Sequence, residues 1–433
     1  MIVYYVGMAW RRGKRHAGIS LFIVMAIALG VSAPLSVVAL VQRLGSDPLP
    51  DRSRRLYHPQ LEPRPINAIL RDSRLPDDLT LQDARALYRL PGAPMGAIMS
   101  SNRLPMKHAN AHDALKMIPT RATTHEFFDL FGLRFVAGSG WSRSDDADRA
   151  RVAVLSRKLS RQLFGSENSV GKEMTIATQL FRVIGVVDDW NPKPHFYDLN
   201  SGVFANSEDV FMPFETWMGL PQDYGYGPAR CWPDADAGRG PAARNCTWVQ
   251  YWVSLATPEH IADYRALLGG YASSQHQATI FQAPPDFSLR SLAEWIDHKQ
   301  VVPASIRMQQ ALGLGISVVC MVSAFGLLLA KFSKDDKELA LRRALGASRH
   351  AIFSQCLIDA SVAGVVGGVI AQPMTWLGFR LIQQQDPAMQ AGISMLPSGL
   401  WQVLVASLIG TLLIGCVPAL RCARVSPALH VKS

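Results

Sequence analysis

The sequence predicts an α-helical membrane protein with four transmembrane helices, arranged one plus three, and a large mixed α/β extracytoplasmic domain inserted between helices 1 and 2. Three observations predict it. Four segments stay apolar for about 20 residues, the length that crosses a hydrocarbon core about 30 Å thick. Basic residues gather beside those segments on one side. Between the first and second of them, residues 42–307 show the apolar runs, turns and caps of a globular domain. Composition agrees: a chain that is 48% hydrophobic and 18% charged, with a mean hydropathy of +0.09, is too apolar for an ordinary soluble protein and too polar for one held wholly in lipid.

Residues 1–18 form a cytoplasmic N-terminus carrying Arg11, Arg12, Lys14 and Arg15, and 19–41 the first span. Its apolar run, Ile19–Val41, exceeds the about 7–15 residues of a signal peptide and ends without an A-x-A cleavage signature, so it reads as a retained anchor. The extracytoplasmic domain fills 42–307. The second span is 308–330, with its apolar stretch at Ala311–Ala330, and a cytoplasmic loop follows at 331–350. The third span is 351–379, a short extracytoplasmic loop 380–398, the fourth span 399–420 and a cytoplasmic C-terminus 421–433.

Orientation follows from Lys and Arg in the short loops. Lys331, Lys334, Lys337, Arg342, Arg343 and Arg349 lie between the second and third spans, and Arg421, Arg424 and Lys432 follow the fourth, whereas the loop between the third and fourth offers only Arg380. Both termini and the 331–350 loop are therefore cytoplasmic. Arg43, Arg52, Arg54 and Arg55 run against the pattern, but they open a long domain, where the rule loses force. The net charge of +10 is explained by anionic lipid beside the spans. No nucleic-acid recognition motif accompanies it, so nucleic acid is not expected as a partner.

Of six cysteines, Cys320, Cys356, Cys416 and Cys422 lie in or beside spans, where a thiol behaves as a small apolar residue. Cys231 and Cys246 are the two in the outer domain, and an oxidising compartment favours a disulfide between them; spacing alone leaves two free thiols as the alternative. In the same domain Thr80-Leu-Gln-Asp83 starts a helix with Leu87 and Leu90 on one side. Arg151–Leu155 and Phe181–Val187 read as strands, the second closed by a turn at Asp188–Pro192. Trp248–Leu255 reads as an edge strand with aromatics on both faces, and Trp217–Arg244, rich in Gly, Pro and Arg, as a long loop or insertion.

Most candidate chemical sites dissolve. Gly165–Glu173 resembles a P-loop but has five residues between its glycines and lacks the Ser or Thr that would hold Mg²⁺. His108 and His112 would share a metal only if their segment were helical, and no third ligand follows, so no metal is expected. HExxH, GxSxG and CxxC patterns are absent, and no catalytic residue is assigned.

The cytoplasmic loop is more specific. Asp336–Leu345 is rich in helix formers, and Gly346 suits a C-cap. Such a short helix needs a partner, the alternative being a solvated connector on lipid headgroups. Lys337-Glu-Leu-Ala-Leu-Arg-Arg-Ala-Leu-Gly-Ala-Ser-Arg349 resembles the cytoplasmic signature of the MacB/FtsX-type ABC permease family. Thr124–Phe131, Ala153–Ser156, Leu163–Gly165, Val170–Lys172 and Phe181–Val186 fit that family's extracytoplasmic domain in order, and Pro418–Ala428 resembles its closing segment.

The resemblance implies an ATPase-less permease subunit of the bacterial inner membrane, with no cofactor of its own, ATP and Mg being bound by a partner ABC ATPase. Lys337–Ser348 becomes the coupling helix, formed by Lys337, Glu338, Leu339, Arg342, Arg343, Ala344, Leu345, Gly346, Ala347 and Ser348, in which Glu338, Arg342 and Arg343 make polar contacts to the ATPase and Ala344–Ala347 set the turn. A second permease copy or homologue is implied, as is an outer domain divided into a porter-like part and an inserted lobe. A periplasmic adaptor protein belongs with export. The sequence departs from the family at Asp359, where Glu is usual, and at Leu429-His430.

Two span features bear on motion. Gly364 and Gly368 form GxxxG on the third span, which allows close helix approach and most often means static packing. Asp359 is an acid at membrane depth, costly unless paired, with a structural hydrogen bond and a coupling role both open. The spans carry no continuous polar row, so the expected mechanism is mechanotransmission to the outer domain, for export or release of a substrate such as a peptide, antibiotic or lipid-like molecule. A regulator that activates an envelope hydrolase or senses peptides, and an ATPase-independent receptor, are the alternatives.

Overall fold

In the computed structural model the described residues are 7, 8, 11, 15, 17–44, 47–108, 116–221, 229–233, 243–301, 304–334, 336–385 and 397–424. They fall into two compact units, Met1–Gly45 with Val302–Ser433, and Ser46–Val301. Leu429 and His430 lie outside the described residues.

The first unit contains the helices Ala17–Leu44, Ala304–Lys334, Arg349–Gln385 and Pro397–Ala423, which are, among the described residues, the four long and apolar enough to cross a membrane. Each helix outruns the apolar segment that announced it. The second continues to Lys334 and the third starts at Arg349 and runs to Gln385, because helical hydrogen bonding goes on after hydropathy has changed. Small residues let the backbones close on one another. A Cβ at Gly30 would sit 2.8 Å from Cys320 Cβ, one at Gly367 would sit 2.9 Å from Ile27, and one at Gly415 would sit 2.7 Å from Ala360.

The second unit is built on a ten-stranded mixed sheet. Its strands are β1 (Leu56–Leu61), β2 (Gly96–His108), β3 (Lys116–Thr123), β4 (Phe135–Gly138), β5 (Val152–Ser156), β6 (Glu173–Ile176), β7 (Gln179–Val187), β8 (Val210–Pro213), β11 (Gln250–Ser254) and β12 (Phe287–Ser291), with β9 (Arg230–Cys231) and β10 (Cys246–Thr247) forming a separate pair. The main path runs β12-β1-β11-β2-β3-β8-β5-β7-β4, and β6 pairs with both β2 and β7. Six strands, β2-β3-β8-β5-β7-β6, therefore close a ring, which removes edges that would otherwise need covering. Apolar side chains form two clusters, one around Leu87, Phe181, Tyr251 and Leu268, the other around Phe127, Phe131, Phe211 and Trp252.

Local chemistry sets the helix starts. The Thr80 hydroxyl accepts from Asp83 N–H and donates to its carboxylate at 2.6 Å, while the Tyr271 hydroxyl holds the other carboxylate oxygen at 2.7 Å. Ser142 with Asp145, and Ser291 with Glu294, complete capping boxes. The glycine-rich segment 165–173 is a connector. Gly165, at φ +67°, caps the helix Arg157–Phe164, and the Ser160 hydroxyl donates to Ser166 O at 2.7 Å and lies 2.9 Å from the Ser169 hydroxyl before the chain enters β6.

Two sequence expectations are corrected. The Trp248–Leu255 strand is interior, with β11 paired to β1 on one side and β2 on the other. Its aromatics on both faces, Tyr251 and Trp252, are both fully buried because each face of the sheet is covered. Trp217 belongs to the helix Phe214–Met218 and packs in the core at 5.9 Å from Trp248, so the irregular segment starts later than expected. His108 ends strand β2 rather than lying on a helix, and His112 lies outside the described residues.

Candidate functional site

The site begins with the helix Asp336–Ala344, which follows the second span and precedes the third. Leu339 is buried with Ile352, Phe332 and Cys356. Leu341, Ala344 and Leu345 lie within about 100° of one another on a helical wheel and point the other way. Leu341 is 58% exposed and Leu345 80% exposed.

Arg342 locks this helix to its own unit. It pairs with Glu338 at 2.8 Å, one helical turn back, and reaches Gln355 Oε1 at 3.2 Å and Met8 Sδ at 3.1 Å. Gly346, at φ +101°, ends the helix: its N–H bonds to Arg343 O and that of Ala347 to Arg342 O, a pattern that needs a left-handed residue. Ser348 then starts the third span, accepting from Ala351 N–H.

Beneath the helix, Lys331 near the end of the second span meets Asp359 in the third at 3.1 Å, both buried. An acid at that depth is thus paired. The GxxxG residues face the fourth span. Cβ atoms at Gly364 and Gly368 would run into the Thr411 and Ser407 side chains, and Ser407 Oγ donates to Gly364 O at 2.6 Å. This is close packing inside one chain.

Within the expected coupling segment, Leu339 faces inward and Glu338 and Arg342 pair within the chain, while Ala344, Leu345, Gly346 and Ser348 are exposed and Arg343 and Ala347 are half-buried. The Lys337 side chain lies outside the described residues. Sequence reasoning did not single out the exposed Leu341. The signal was helical phase: once Leu339 is fixed as inward, Leu341 must lie about 200° away.

In the other unit Cys231 and Cys246 are bonded and join β9 to β10. Among the described residues one cluster has the proximity of metal ligands, namely His125, Glu126 and Asp146. Each of its residues takes part in a hydrogen bond: Tyr88 donates to Glu126 and Trp141 to Asp146, each at 2.8 Å, and His125 Nδ1 lies 3.0 Å from Asp146. The hydrogen bond to Asp146 also holds the His125 pKa above its usual value. The cluster pins the start of the Phe127–Phe131 helix.

The model of the family described as the MacB-like periplasmic core domain matches residues 20–269, and that described as the FtsX-like permease C-terminal matches 311–427. The chain belongs to the MacB/FtsX-type ABC transporter permease family. This permease is an inner-membrane protein with a large periplasmic domain, the one-plus-three arrangement expected of it. It is similar to the macrolide export ATP-binding/permease protein MacB of Marinobacter nauticus, with 23% identity over 93% of this chain and 56% of that protein. It is also similar to MacB of Salmonella paratyphi A, with 21% identity over 98% of this chain and 59% of that protein. The permease thus spans just over half the length of these curated relatives. The crystal structure of the periplasmic region of MacB from Actinobacillus actinomycetemcomitans aligns with 62% of this chain and 98% of that one, at 16% identity and a TM-score of 0.36.

Proposed function

We propose that this permease couples ATP binding by a separate ABC ATPase subunit to movement of its periplasmic domain, and thereby exports or releases a substrate such as a peptide, antibiotic or lipid-like molecule. The observation that carries the reading is the exposed pair of Leu341, on the helix, and Leu345, just past its end, with the helix fastened to its own unit by Leu339 and Arg342. An apolar ridge held at a fixed angle gives a docking ATPase something to push. The Lys331–Asp359 pair and the Gly364–Ser407 contact then carry the push into the spans. The names of the curated relatives, which join ATP binding to a permease and to macrolide export, support transport. A second permease copy completes the complex, and a periplasmic adaptor accompanies an export role.

The test is affinity purification of the full chain from its native membrane, with mass spectrometry of retained proteins and an ATPase assay. An ABC ATPase should copurify with wild type and be lost, at unchanged melting temperature, from Leu341→Asp and Leu345→Asp. Arg343→Glu should abolish the stimulated activity. If wild type retains no ATPase under conditions that preserve other membrane complexes, the reading fails.

A further inference from the structure

The periplasmic unit holds an open cleft of about 470 Å³, lined by Ser101, Arg103, His195, Ser201, Ala205 and Glu208 among others. Its floor is a buried ion cluster. Arg121 on β3, fully buried, pairs with Asp198 at 3.0 Å and also with Glu208, and lies over the Tyr197 ring at 4.9 Å. Tyr197 donates its hydroxyl to Glu208 at 3.0 Å, and Ser101 and Ser201 donate to Asp198. One guanidinium against two carboxylates leaves the cluster with one negative charge in excess. Of the two nearby cations outside the cluster, Lys193 is engaged by the carbonyls of Phe204 and Ala205, and Arg103 donates to the Met117 carbonyl at 3.2 Å.

His195 is 1% exposed. Its Nδ1 lies 3.2 Å from the Asp198 carbonyl oxygen, which can only accept, so Nδ1 carries the proton and Nε2 offers a lone pair. Nε2 has no hydrogen-bond partner and stands 3.8 Å from Glu208 Oε1. Burial lowers the His195 pKa, which keeps the imidazole neutral even though Glu208 and Asp198 face it alongside Arg121 and Lys193. Two acceptors thus confront each other at the cleft floor. A buried acceptor left without a donor costs about 1–3 kcal/mol.

We infer that this cleft binds the primary ammonium end of a small amine, held between His195 Nε2 and Glu208. An alcohol can satisfy Nε2 with its single O–H but has no second donor for Glu208, whose oxygens already accept from Arg121 and Tyr197. A water satisfies both but brings no charge. An ammonium has three donors and sets a positive charge beside the excess negative one. The inference is independent of the cytoplasmic helix and stands whether or not that helix docks an ATPase.

The test is isothermal titration calorimetry on the full chain in nanodiscs with putrescine, using 1,4-butanediol as the uncharged analogue. Wild type should bind putrescine saturably near neutral pH, and not the diol. His195→Leu removes one acceptor at similar volume, and Ala205→Trp blocks the cleft without touching the ion cluster. Loss of a charge-assisted bond or of the space should weaken putrescine by about tenfold or more. Acidification should weaken it too, since a protonated His195 has no acceptor left. No saturable putrescine binding, equal binding of the diol, or unchanged affinity in either variant that melts like wild type overturns the inference.

Discussion

Lys331 Nζ and Asp359 Oδ2 lie 3.1 Å apart with side chains 3% and 4% exposed, and they tie the second span to the third. Breaking a buried pair by removing one partner costs about 3–5 kcal/mol, whereas replacing both with apolar residues is often neutral. Lys331→Met should therefore lower the melting temperature of the purified permease sharply, and Lys331→Met with Asp359→Leu should restore most of it. If the double variant melts normally yet no longer stimulates the ATPase, the pair serves transmission rather than assembly.

A methyl group at Gly364 has no room beside Thr411, and the Ser407–Gly364 hydrogen bond holds the backbones together there. Gly364→Ala should destabilise the bundle by about 1–3 kcal/mol, the cost of overpacking. Adding Thr411→Ala should recover part of the loss, as read by thermal unfolding in detergent.

Two buried groups of the periplasmic unit titrate with opposite signs. His58, packed 4.1 Å from the Trp295 ring, is held down to about 4 by burial, so the unfolded chain takes up its proton first and this group costs stability as pH falls from 6.5 towards 4. Asp78 is pushed up to about 7 by burial and by Asp198 and Asp77, so its folded form keeps a proton that the unfolded chain has shed, and it costs stability as pH rises from 3.8 towards 7. Asp78→Asn should consequently gain on wild type as pH rises, by about 3 kcal/mol between pH 4 and 7. Denaturant titration followed by tryptophan fluorescence measures it. A constant difference across that range would rule out the raised pKa.

The Cys231–Cys246 bond closes a loop of sequence separation 15. A loop of that size is worth about 3 kcal/mol in restricted unfolded-chain entropy. Cys231→Ser with Cys246→Ser should lose about that much in periplasmic-domain stability, and reducing agent should do the same to wild type but nothing to the variant.

The spans and their number were legible in the sequence because hydropathy over about 20 residues is a local property. So were the Thr80 cap and the Gly346 stop, which depend on residues three or four apart. The Asp359 partner was not, since Lys331 sits 28 residues away and nothing in the linear chain says that these two positions meet. Arg121 passed unnoticed for the same reason, because its carboxylates lie 77 and 87 residues downstream. The interior strand β11 was read as an edge because aromatics on both faces leave no alternation to show which side is wet. In the cytoplasmic helix the family signature marked the segment but not its phase, so the burial of Leu339 and the exposure of Leu341 went unread.

Strand β2 runs 13 residues, with its first residues paired to β11, its length to β3 and its end to β6. It is a shared wall between the closed ring and the open sheet. A displacement applied to either part is delivered to the other through ladder hydrogen bonds rather than through a linker. The periplasmic domain in this respect resembles a lever cut from one piece of stock, whose tip and handle cannot move at different times.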